Sequence, residues 1–115
     1  MDESVIDRAV YAELSDTTGA EFLAGLVDTF IEEGPGILAE LRAARAEGNP
    51  ERFRRAAHSL KSNGRTFGAV KLTALAREFE LKGLDADPTR DVDGLAALEA
   101  EYARAAAALK ALRNG

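Results

Sequence analysis

The chain has no cysteine, a single histidine, three prolines and few aromatic residues in 115 positions. Without cysteine there is neither a disulfide framework nor a thiolate metal site. One imidazole is too few ligands for a histidine metal centre, and no serine with an orienting acid signals a hydrolase triad. No apolar run approaches the roughly 20 residues of a membrane span, and Met1, Asp2 and Glu3 begin the chain acidic and polar, unlike a signal peptide. There is no GxxxxGK[ST], no kinase-type glycine loop and no Asp or Asn cluster suited to Mg²⁺, so no ATP site of its own is expected. A net charge of −5 argues against nucleic acid as a partner.

What remains is rich in Ala, Leu, Glu and Arg, the composition of one small helical domain over residues 1–115 with a modest core. Val5, Ile6, Val10, Tyr11 and Leu14 predict a short N-terminal helix. Thr18 followed by Glu21 reads as a capping box. Phe22, Leu23, Leu26, Val27 and Phe30 then give an apolar face that resumes as Ile37, Leu38, Leu41 and Ala44. Between them Gly34-Pro35-Gly36 is expected to kink or break the helix, which would otherwise run about 43 Å. Asn49 and Pro50 cap and open a further helix ending between Gly64 and Gly68.

Past that turn, Leu72, Leu75, Ala76 and Phe79 mark one face of a helix over residues 70–82, while Val70, Ala74 and Leu81 mark nearly the opposite one, for a second neighbour or a partner. Residues 83–91, with Pro88, read as a loop. Val92, Leu95, Leu98, Tyr102, Ala105, Leu109 and Leu112 predict a long final helix closed by Asn114-Gly115. The expected fold is all-α, an antiparallel up-down-up-down four-helix bundle with an additional N-terminal helical segment.

His58 carries the functional signal. On a helix of about 100° per residue, Phe53, Ala57, Leu60, Gly64 and Phe67 form one apolar stripe, and His58 lies roughly 140° from its centre. Arg54, Lys61, Ser62 and Arg65 share its face. The imidazole is therefore expected to face solvent, ringed by cations that keep it neutral and nucleophilic and that would stabilise an attached anion. From Pro50 to Arg65, Arg52, Arg54, Arg55, Lys61 and Arg65 stand against Glu51 alone, a basic face suited to an acidic partner. Gly64 costs roughly 1 kcal/mol inside a helix, and close approach by another backbone is one reason to have it. Leu60, Phe67 and Phe79 belong to the core, so exposed Ala and Val beside His58 are better docking candidates.

The stretch AAHSLKSNGRTFGA resembles the histidine-containing phosphotransfer (HPt) domains of multistep two-component phosphorelays through Ala57, His58, Leu60, Lys61, Gly68 and Ala69. Ser62 departs from the family's usual glycine. The resemblance extends to the order of helices over the whole chain. It implies that His58 accepts a phosphoryl group from a receiver-domain aspartate and passes it to another receiver, with Lys61 stabilising the phosphate.

Arg65 is a further candidate for phosphate stabilisation. Arg54, Arg55, Ser62, Gly64 and Gly68 are the candidate partner-binding residues. No cofactor of the chain's own is implied, and Mg²⁺ is expected in the partner receiver. The partner is the receiver of a response regulator or of a hybrid sensor histidine kinase, met by a monomeric cytoplasmic phosphocarrier that is not itself a kinase. The rival reading is a non-catalytic helical adaptor docking on a response regulator.

Overall fold

In a computed structural model, residues 5–85, 87 and 89–114 are described. The helices are α1 (Arg8–Thr18), α2 (Ala20–Glu47), α3 (Pro50–Phe67), α4 (Val70–Lys82) and α5 (Thr89–Asn114), with no strand among the described residues. α3 packs on α2 and α4, α5 closes against α2 and α4 diagonally to α3, and α1 lies on α2 and α3. This is the expected four-helix bundle with an added N-terminal helix. Its core includes Val27, Leu41, Phe53, Leu60, Leu72, Leu98 and Leu109, all fully buried. No described helix is long and apolar enough to cross a membrane.

The expected break at Gly34-Pro35-Gly36 does not occur, and α2 runs unbroken through Pro35. Pro35 has no N–H to offer the Ile31 carbonyl. The Tyr102 hydroxyl of α5 lies beside this gap, donating at 2.7 Å to the Phe30 carbonyl and standing 3.3 Å from that of Ile31. Gly34 makes room for the ring: a Cβ there would sit 2.0 Å from the Tyr102 hydroxyl. Burial pushes the phenol's pKa up, opposed by a hydrogen bond with the Gly34 backbone. The triplet is therefore a seat for Tyr102.

Other local expectations also change. Thr18 does not cap α2, because its hydroxyl donates back to Leu14 O at 2.8 Å and Gly19 takes the N-cap position without a side-chain bond. Val92 is 47% exposed rather than core, and α5 starts at Thr89, inside the expected loop. α4 meets two neighbours, α3 and α5, as expected, but Val70, Ala74 and Leu81 stand exposed. The expectations resting on residues 1–3, Pro88 and Gly115 lie outside the described residues.

Candidate functional site

The chain delivers His58 to the surface through a well-bounded helix. Asn49 Oδ1 accepts from Arg52 N at 3.1 Å, Pro50 takes the first position, and Glu51 lies in the first turn. At the other end Gly68, at φ +76°, closes the helix with Gly68 N–H donating to Arg65 O at 3.1 Å and Ala69 N–H to Gly64 O at 2.9 Å. α4 then starts at Val70 and returns antiparallel along α3.

That return brings a group to His58 that reading α3 alone overlooks. Glu80 of α4 accepts from His58 Nδ1 at 2.7 Å through Oε2 and forms an ion pair with Lys61 Nζ at 2.7 Å through Oε1. The imidazole is half exposed, whereas the side chains of Lys61 and Glu80 are only 16% and 19% exposed. His58 is thus solvent-facing as expected, but a carboxylate rather than a ring of cations is its immediate partner. The Lys61 hydrogen bond, and secondarily that of His58, holds the Glu80 carboxyl below the usual glutamate range despite partial burial. An ionised carboxylate only accepts, so Nδ1 carries a proton, and in the neutral ring Nε2 is the nitrogen that holds the lone pair. A signal for Glu80 was available: His58 and Glu80 stand at equal distance on either side of Ala69, the centre of the hairpin.

The remaining expected residues divide between surface and interior. Arg54, Arg55, Ser62 and Arg65 are exposed on the His58 face. Arg55 pairs with Glu51 at 2.8 Å, while Arg54 and Arg65 have no ion-pair partner among the described residues. Arg52 is held by Glu40 and Glu47.

Gly64 and Gly68, expected at the partner surface, are buried. A Cβ on Gly64 would lie 2.8 Å from the Thr73 hydroxyl, so the close approach it permits is that of α4. A Cβ on Gly68 would lie 2.9 Å from Val10 Cβ, and Gly68 O accepts from Asp7 N at 2.7 Å, which pins the start of α1. Both glycines serve internal contacts that a reading of α3 by itself cannot see. No group of three or more His, Cys, Asp or Glu side chains that could hold a metal occurs among the described residues.

A family model for the Hpt domain matches residues 25–110. Among solved structures, histidine-containing phosphotransfer protein B (HptB) from Pseudomonas aeruginosa PAO1 is similar, with a TM-score of 0.82 and 27% identity over 96% of this chain and 95% of that one. Among curated proteins there is no match.

Proposed function

The chain belongs to the Hpt domain family and is a histidine phosphotransfer protein of a phosphorelay, and on that premise we propose that Nε2 of His58 is the atom that carries the phosphoryl group. One observation carries this reading: the only imidazole in the chain is exposed, with Nδ1 tied to Glu80 and Nε2 free. In the accepting step Nε2 attacks phosphorus of a receiver's aspartyl phosphate. The N–P bond forms as the P–O bond to the aspartate breaks, and the electron pair of that bond returns to the aspartate carboxylate. Positive charge develops on the ring and is met by Glu80 across the Nδ1–H bond, a charge-assisted hydrogen bond placed where charge develops. Donation to a second receiver is the reverse.

Glu80 is therefore a positioning residue that fixes the tautomer and supports the charged ring. Lys61 holds the second Glu80 oxygen and adds positive charge near the phosphoryl oxygens. Arg54, Arg55 and Arg65 attract the acidic site of the receiver, and Ser62 leaves room beside the ring. The chemistry assigned to Mg²⁺, neutralising the phosphoryl group in flight, belongs to the receiver. Hpt proteins are phosphocarriers, and this one is read as having no ATP site of its own. It is further read as a single-domain, monomeric, cytoplasmic shuttle between receivers of response regulators and hybrid kinases, with neither nucleic acid nor membrane as partner.

The test is incubation with a panel of phosphorylated receiver domains and Mg²⁺, following label on wild type and on His58→Gln. Acid-labile, base-stable label on wild type alone is expected. Binding without label, equal for both chains, would instead support an adaptor.

A further inference from the structure

The His58 face does not end at α3. α3 and α4 form one two-helix layer whose register is set at three points: the Gly64 contact with Thr73, the His58 bond to Glu80, and the approach of Arg54 to Gly83. Leu81 directly follows Glu80, so it is level with His58 within about one residue. It lies about 180° round α4 from buried Leu72, as His58 lies about 160° round α3 from buried Leu60. Both side chains leave the same outward surface, on axes about 8–10 Å apart.

Leu81 is 70% exposed, and Ala74 and Val70, the latter 57% exposed, continue the row along α4, interrupted by Arg77. The outward surface is thus two parallel rows, basic on α3 and largely apolar on α4. On the opposite flank of α3 the surface instead falls into a groove of about 330 Å³ rimmed by the Arg52–Glu40 ion pair.

We infer that the apolar row of α4, with Leu81 as its anchor, is part of the receiver-docking surface and sets affinity for the receiver. The inference rests on the phosphotransfer reading of His58 given above. A standard interface covers about 800 Å² per partner, a patch of roughly 16 Å radius when centred on His58, and it includes Leu81. Charge decides the occupant. A second copy of this chain docked symmetrically on this face would bring the arginines Arg54 and Arg65 of both copies, which have no ion-pair partner among the described residues, into one interface, whereas the acidic site of a receiver complements them. The charged row then steers encounter, and the leucine, desolvated on contact, holds the complex.

The test compares wild type, Leu81→Ser, Leu81→Met and Val92→Ser, the last removing an exposed apolar side chain on α5, the helix diagonal to α3. Two labelling routes are used: a phosphorylated receiver at varied concentration, and phosphoramidate, a small donor whose P–N bond breaks to release ammonia as His58 Nε2 takes the phosphoryl group. Leu81→Ser is expected to raise KM for the receiver about tenfold, with labelling by phosphoramidate unchanged. Leu81→Met and Val92→Ser are expected to behave as wild type. An unchanged KM for Leu81→Ser on a receiver that labels wild type overturns the inference alone. A dimer in sedimentation that Leu81→Ser abolishes gives the row to a second copy and also overturns it. Wild type labelled by no receiver and not by phosphoramidate overturns the phosphotransfer reading, and the inference falls with it.

Discussion

Two seams of the bundle are built alike and do opposite work. Between α2 and α5, Gly34 admits the Tyr102 ring and a hydroxyl bonds across to Phe30 O; between α3 and α4, Gly64 admits Thr73 and a carboxylate bonds across to His58. In each, a glycine lets a neighbouring helix approach and one polar side chain crosses the gap. The first seam is closed to water, with Tyr102 7% exposed, so its bond ties α5 to the α2 backbone just ahead of Pro35. The second opens to solvent at the imidazole, so its bond leaves a nucleophile available. Burial alone separates a structural crosslink from a reactive one.

The sharpest way to break the parallel is His58→Gln, which should abolish transfer from a phosphorylated receiver while moving unfolding free energy by no more than about 0.5 kcal/mol, as for exposed substitutions generally. Labelling and urea denaturation on the same preparation check both halves. The glycines come next and should reverse the pattern. Gly34→Ala drives a methyl into a ring that has nowhere to go and is expected to cost about 1–3 kcal/mol. Gly64→Ala meets the Thr73 hydroxyl, which can move aside only by giving up its 2.7 Å bond to Ala69 O; the helix propensity gained, about 1 kcal/mol, offsets part of that loss, so the variant is expected to be destabilised less than Gly34→Ala. Urea midpoints of the two variants separate them.

Glu80→Gln keeps an acceptor for Nδ1–H but removes its charge. A hydrogen bond to a charged group exceeds a neutral one by about 1–1.5 kcal/mol, so transfer should slow about tenfold, with a modest loss of stability at neutral pH from the lost Lys61 ion pair; single-turnover transfer kinetics measure the first. The smallest effect is on pH dependence. Because the folded pKa of Glu80 is lowered, its pairing stabilises the fold above the ordinary glutamate pKa of about 4.3 and is lost as pH falls below it. The stability difference between wild type and Glu80→Gln, followed by thermal melts from pH 7 to pH 3, should shrink toward the acid end. A difference that grows there would contradict the assignment of Glu80 as an ionised partner.

Much of this was legible along the chain. The apolar stripe of α3 from Phe53 to Phe67 follows from helical period alone, and so does the outward place of His58, Arg54, Ser62 and Arg65. Asn49-Pro50 marks the start of α3 because capping and a preset φ are properties of adjacent residues. The readings that failed concern choices that a local pattern leaves open. Thr18 and Glu21 match a capping pattern, yet the single residue between α1 and α2 leaves Thr18 bonded to the helix behind it. Gly64 and Gly68 announce close approach without saying by what, and both are covered by other helices of the same chain.

The sequence by itself determined the helices, the bundle they form and the one imidazole exposed on a basic face, because each rests on local period, capping and composition. Tertiary structure alone decided that Glu80 completes the site, that Tyr102 seats on Gly34 and bonds the α2 backbone beside Pro35, and that the second apolar row of α4 stays open beside His58. Each of these depends on the register between helices, which is set by side chains packing across a seam rather than by any residue's neighbours along the chain.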